Sequence, residues 1–330
     1  MAGFRKAKAE QAALKLGIYG ATGRGKTFTA LLLAEGLAKL EKKQVAMIDT
    51  ERGADFYCQE VAGRAVHPAA FQYDAMHTRS ISDILREVRA FDAQTYAVLI
   101  IDSITHIWES ARAAYTGKTT SAGTIPFHAW SAIKKPYKEL MSLLLSSPAH
   151  VIICGREGNE YAEDEDTGEL KQVGKKMKAE GETPYEPHIL LRIENERDKE
   201  GNTTIWAFAE KDRTGTLAGK YIKLWPSEKS TFELLASPLL PLLGKSQAKI
   251  ETEDEVAARD AEALTEEERN RIETSERLLN KHRAAFAAAE TLDALEAASK
   301  QVTAAVKKEM TTSDTAELRN AYLEAAKRIK

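Results

Sequence analysis

Eight residues early in the chain, Gly20-Ala-Thr-Gly-Arg-Gly25-Lys26-Thr27, combine three glycines with an ammonium group and a hydroxyl. Glycine backbone freedom lets successive N–H groups turn inward on an anion, and the positive end of a following helix adds to their pull. The spacing satisfies GxxxxGK[ST], with Gly20, Ala21, Thr22, Gly23, Arg24 and Gly25 forming the turn ahead of Lys26, Thr27 and Phe28. Lys26 would reach the β- and γ-phosphates of a nucleotide, and the Thr27 hydroxyl would ligate Mg2+. Asp102 closes the apolar run YAVLIID, where a second acidic group would hold that magnesium through water. Ser103 beside it would orient the metal shell or the hydrolytic water. Glu51, in VAMIDTERGADFY, lies just past another apolar run, placed to take a proton from attacking water. Its plainer reading is a solvated glutamate at a helix start. Arg156, directly after HVIIC, is positioned either to sense the γ-phosphate or to close a salt bridge at a strand end.

Such groups need strands and helices to hold them. Leu14 to Gly20, Gln44 to Asp49, Tyr96 to Asp102 and His150 to Cys154 read as short buried strands, with Phe71 to Met76 a weaker one. Lys26 to Leu40 and Ile81 to Phe91 have helical spacing, as does Phe127 to Leu145, which Pro136 should kink or break. Strands alternating with helical stretches predict a parallel, doubly wound α/β sheet. From about Pro187, Ile189 to Ile193, Thr204 to Ala209 and Tyr221 to Leu224 are joined by turns without helices and should extend the sheet in antiparallel fashion.

The 330 residues carry a net charge of −3, which excludes a uniformly basic surface, so any nucleic-acid contact must be local. Two cysteines far apart, Cys58 and Cys154, give neither a disulfide framework nor a metal site. The first residues lack the apolar core of a signal peptide, and no apolar run is long enough to cross a bilayer, so a cytoplasmic protein without membrane partners is expected. From Lys245 onward there is no glycine or proline, and Thr265 (TEEE) and Thr291 (TLDALE) look like helix starts. The TTSDT stretch at 311–315 should break the last two helices. The expected organisation is a basic segment over 1–13, a catalytic domain over 14–244, a charged linker over 245–264 and three helices over 265–330.

The combination resembles the RecA/DnaB-type core, the recombinase and replicative-helicase branch of phosphate-loop ATPases. In that branch the glycine loop is followed by a strand with an acidic residue beyond it, matching DTE here, and by an apolar strand ending in DS, matching IIDSIT. The resemblance makes Glu51 the catalytic base. It also likens Glu210-Lys-Asp-Arg-Thr-Gly215 to the K-x-R-x-G stretch with which several members insert cations into a neighbouring subunit's ATP site. Lys211 and Arg213 are two residues apart on a strand and point the same way, so both could reach one triphosphate; the alternative is a solvated basic edge. More narrowly, FRKAKAEQAALKLGIYGATGRGKT, IDTERGADFY, IDSITHIWE, HVIICGR and EKDRTGTLAGK look like phage-encoded RecA-like ATPases of the AAA group, of the single-strand annealing or recombination type, over roughly residues 4–225.

That likeness implies a RecA-like core with a mostly parallel sheet, antiparallel strands at its C-terminal side and a small helical region after it. It implies Mg2+ and ATP as ligands, a homo-oligomeric ring or filament, single-stranded DNA, and phage recombination or replication proteins as partners in the host cytoplasm. Two loops would face the DNA. Ala111 to Phe127 brings Arg112, Tyr115 and Lys118; Gly155 to Pro187 brings Lys171, Lys175, Lys176 and Lys178 after an acidic tip, YAEDEDTGEL, that would repel phosphate. His106, Trp108 and His128 read as packing or hinge residues. The rival readings are a nucleotide-dependent switch or loader that acts on a protein without gripping DNA, and a small-molecule kinase, which leaves KDRTG unexplained.

Overall fold

The computed structural model describes residues 13–58, 71–116, 125, 129–164, 168–244 and 253–329. The chain divides into two compact units, Met1–Thr252 and Glu253–Lys330. In the first, the strands are β1 (Lys15–Gly20), β2 (Gln44–Asp49), β3 (Asp74–Met76), β4 (Tyr96–Asp102), β5 (His150–Glu163), β6 (Leu170–Met177), β7 (Ile189–Arg197), β8 (Thr203–Asp212) and β9 (Tyr221–Trp225). They lie in the order β3-β2-β4-β5-β1-β7-β8-β9, with β6 paired to β5. The first six of these neighbours run parallel, and β8, β9 and β6 are antiparallel additions.

Helices cover both faces, which is why the central strands read as unbroken apolar runs. One face packs α1 (Lys26–Glu41) and the short α5 (Thr231–Leu235) over Ile18, Ile100, Ile152 and Leu191. The other packs α2 (Ile81–Arg89), α3 (Ile104–Thr116) and α4 (Trp130–Ser146) over Tyr19, Ile101 and Ile153. Neighbours in sequence thus enter opposite cores, as the two-residue period of a strand requires.

Three expectations change. The antiparallel extension begins at β8, because β7 pairs in parallel with β1. Its Ile189, Leu190 and Leu191 are all buried, the mark of a strand inside the sheet. Pro136 lies within one uninterrupted helix, α4, whose Ile133, Tyr137, Leu140, Met141 and Leu144 are buried. That packing outweighs the backbone hydrogen bond that proline forfeits. Finally, Gly155 to Pro187 is largely a β-hairpin: β5 leaves the core at Arg156 and returns as β6, level with Glu157 at Met177.

A lysine sits inside this core. Lys15 is 1% exposed, and its Nζ donates to the carbonyls of Ser147 and Ala149, each at 2.6 Å. Burial lowers its pKa from 10.5 to about 7. Between those values the unfolded chain binds the extra proton and the folded chain does not, so stability rises with pH across that window and is level below it. Replacing Lys15 by Met is expected to flatten that rise relative to the parent by up to about 1.4 kcal/mol per pH unit. Urea unfolding from pH 7 to 10 measures it; parallel curves for the two proteins would refute the assignment.

The second unit contains α6 (Glu253–Ala288), α7 (Leu292–Lys300), α8 (Ala304–Glu309) and α9 (Thr312–Ile329) around Leu279, Phe286, Leu295, Met310 and Leu318. Helix begins at Glu253, inside the stretch read as a linker, and Thr265 falls within α6, its hydroxyl bonded back to the Ala261 carbonyl at 2.8 Å. Strong helix formers on both sides of TEEE carry the helix through it. Among the described residues, four helices therefore stand where three were expected. Thr291 caps α7, and Thr311 accepts the Asp314 N–H at the start of α9. Ser275 of α6 ties down that last corner by accepting the Thr311 N–H at 2.7 Å. Most of segment 1–13 and residues 245–252 of the linker lie outside the described residues.

Candidate functional site

Register places the chemistry. Gly20 is level with Arg156, Asp49 with Asp102, and Asp102 with Cys154, so β2, β4, β5 and β1 present their C-terminal ends side by side. In sheets of this kind ligands bind at that edge. A cavity of about 240 Å3 opens there, lined by Thr22, Gly23, Gly25, Lys26, Thr27, Asp49, Glu51, Tyr57, Asp102 and Arg156 among others.

The glycine turn could hold an anion. A side chain on Gly20 would collide with the Ile193 carbonyl oxygen, so only glycine lets β1 pass β7 there. Gly25, with φ of 92°, starts α1 without any side-chain cap, leaving the first amide N–H groups of the helix open to a ligand. Lys26 folds over the turn, donating to the Ala21 carbonyl at 3.0 Å. Arg24 turns away instead, bonding to the carbonyl of Asn195 at 2.7 Å and to its side chain, so its guanidinium braces the loop against β7. Phe28 packs against Tyr57 and Phe71, ring centres 5.6 and 5.7 Å away.

The tertiary structure brings the acidic groups together at this edge. The Thr27 hydroxyl donates to Asp102 at 2.5 Å. Burial, with Glu51 and Asp49 nearby, lifts the Asp102 carboxyl to about 6, against the opposing pull of Thr27 and Lys26. Such a site favours a divalent cation, which restores the carboxylate. Glu51 accepts two hydrogen bonds from Arg156, at 3.2 Å from Nε and 2.9 Å from Nη2. Both readings of Arg156 are therefore compatible: it closes a salt bridge, and the salt bridge lines the cavity.

Several contributors escaped the sequence. Asp49 accepts the N–H groups of Glu51, Arg52 and Ala54 and so folds the turn that carries Glu51, a habit of aspartate that the DTERGA run does display. Thr50 accepts the Ser103 N–H at 2.9 Å and meets His106 Nδ1 at 2.8 Å. His106 also lies 3.6 Å from Glu51, and its ring braces the two acidic turns; burial together with Arg156 lowers its pKa against the opposing pull of Glu51. The Ser103 hydroxyl is buried without a partner among the described residues. Thr105 accepts the Arg156 N–H and donates to the Lys178 carbonyl, pinning the base of the hairpin to α3.

Lys211 and Arg213 stay out of this cavity. Lys211 donates to the carbonyls of Tyr185 and, at 2.7 Å, Pro187; Arg213 reaches the Tyr185 carbonyl at 3.3 Å. Of the lysines read as DNA contacts, Lys171, Lys175 and Lys178 are paired with Asp164, Glu157 and Glu109. Lys176 has no ion pair among the described residues. Exposed pairs of this kind cost little to exchange for a phosphate. The Arg112 guanidinium lies 5.8 Å from the Trp130 ring centre. Lys118, His128 and most of the first loop lie outside the described residues. No described helix is long and apolar enough to cross a membrane.

A family model described as an AAA domain matches residues 12–217. A search of curated proteins finds no match. Among solved structures, the chain is similar to a KaiC-like protein from the hyperthermophilic archaeon Pyrococcus horikoshii OT3, at 17% identity and a TM-score of 0.38 over 64% of this chain and 85% of that one. It is also similar to a second solved structure, described as an ATPase domain, at 11% identity and a TM-score of 0.43 over 65% of this chain and 81% of that one.

Proposed function

The chain belongs to the AAA domain family, and from that premise we propose that it is a RecA-like phosphate-loop ATPase that hydrolyses Mg·ATP as a ring or filament on single-stranded DNA. The setting would be phage-type recombination, annealing or replication in the host cytoplasm, which the sequence phrases support. The observation that carries the hydrolytic reading is Glu51 lining one cavity with Lys26, Thr27 and Asp102.

The uncapped start of α1, the bare Gly20 and the Thr27–Asp102 pair suit a triphosphate and a divalent cation. Loop N–H groups and Lys26 would bind the phosphates, while Thr27 and Asp102 would hold the metal. Magnesium, when bound, would supply positive charge against the β- and γ-phosphate oxygens. Glu51 accepts the proton of the attacking water. Arg156 is shared: a phosphate beside it competes for the guanidinium and frees Glu51 to act as a base. Lys211 and Arg213 are bonded to the Tyr185 and Pro187 carbonyls of their own chain, so the role in a neighbour's site rests on the KDRTG pattern and would require them to exchange those carbonyls for phosphate. The hairpin, with Lys176 and the exposed Tyr161, supports a DNA contact reached through Arg156 and Thr105.

Mixing mutants tests the assembly. A Lys211→Ala/Arg213→Ala double variant is expected to lose oligonucleotide-stimulated turnover. An equal mixture with Glu51→Gln should recover about a quarter of the parent rate, the share of interfaces pairing an intact base with intact cations. No recovery would argue against cross-subunit catalysis. Turnover indifferent to oligonucleotide, with no salt-sensitive binding in the presence of an ATP analogue, would favour a switch acting on protein instead.

A further inference from the structure

The helical unit lies outside the matched family region and carries a cavity of its own. A groove of about 480 Å3 opens among α6, α7, α8 and α9, within the size range of ligand and peptide sites. Its floor is apolar: Phe286, Val302, Leu318 and Tyr322, with the Phe286 and Tyr322 rings packed edge to face at 5.5 Å. Its charged lining residues are both cationic, Lys307 and Arg319, and no described acidic residue lines it. Both cations are exposed, and neither has an ion-pair partner among the described residues.

Arg283 pairs with Glu317, Lys300 with Glu296, and Arg328 bonds the carbonyls of Phe286 and Ala289, whereas Lys307 and Arg319 line the groove. Two cations flanking an apolar trough that no described acidic residue lines complement a ligand that is apolar in the middle and acidic beside it. Arg319 adds a planar fork suited to a carboxylate. Ser299 and Thr315 complete the lining, and a nucleic acid fits less well, since two cations neutralise little phosphate.

We propose that this groove is a docking site for a partner protein's short acidic segment, an aliphatic or aromatic anchor seating on Phe286, Val302, Leu318 and Tyr322 while its carboxylates meet Lys307 and Arg319. The inference does not depend on the nucleotide site.

The test uses the full chain and a fluorescently labelled octapeptide of aspartates and glutamates ending in Leu-Phe with a free carboxyl group. Anisotropy should show saturable binding that weakens about tenfold or more in Arg319→Glu, is partly kept in Arg319→Lys, and is unchanged in Lys327→Glu, an exposed cation off the groove. A peptide ending in Ser-Ser should bind at least tenfold more weakly, and ATP turnover should be the same in all three variants. Equal binding by Arg319→Glu, or by the Ser-Ser peptide, would overturn the proposal. So would an oligonucleotide binding the groove in preference to the peptide, or self-association of the chain abolished by Arg319→Glu, which would make the groove a contact between copies.

Discussion

Replacing Lys26 by alanine is expected to cut ATP turnover by about a thousandfold or more, with little change in stability. The ammonium sits at the mouth of the glycine turn, bonded to the Ala21 carbonyl, and lines the cavity with Thr27 and Asp102. Alanine is the best helix former, so α1 keeps its start and its buried Leu31, Leu33 and Leu37. What disappears is the ammonium group that lines the cavity beside the open amide groups. Steady-state phosphate release and a thermal melt run together read this out. Undiminished hydrolysis by a well-folded variant would refute the site.

The second large effect separates binding from chemistry. Glu51→Gln keeps the size and shape of the side chain, so nucleotide affinity should stay within a few-fold while turnover falls about 10² to 10⁴-fold, as when a general base is removed. The Asp49 carboxylate still folds the turn through the amides of residues 51, 52 and 54, so position 51 should not move. Calorimetry with Mg·ATP measures the first quantity and single-turnover hydrolysis the second. If affinity collapses together with turnover, Glu51 holds the loop or the metal and is not the base.

Both predictions begin from local pattern, and so does much of the core. The glycine turn is written in consecutive residues because its conformations are local: Gly20 must pass a carbonyl, and Gly25 must take a positive φ. The central strands were legible for a related reason, since burial on both faces turns them into short runs of Val, Ile and Leu. Where the reading missed, distant contacts had outvoted local propensity. Pro136 stays within α4 because one flank of that helix is buried; Thr265 starts nothing because helix formers surround it; β7 joins β1 in parallel, with Ile189, Leu190 and Leu191 buried inside the sheet.

What the sequence determined alone was the kind of chemistry: a glycine turn, an ammonium, a hydroxyl and carboxylates after apolar strands, each set by neighbours a few residues away. Only the tertiary structure decided which of these meet. Strand order brings residues 51, 102 and 156 to one edge, joins Glu51 to Arg156 across 105 positions, slips His106 and Thr50 between the acidic turns, and turns Lys211 and Arg213 away from their own cavity. Side-chain meetings of that kind depend on sheet register and helix packing, which sum many weak contacts along the whole chain and leave no mark at any single position.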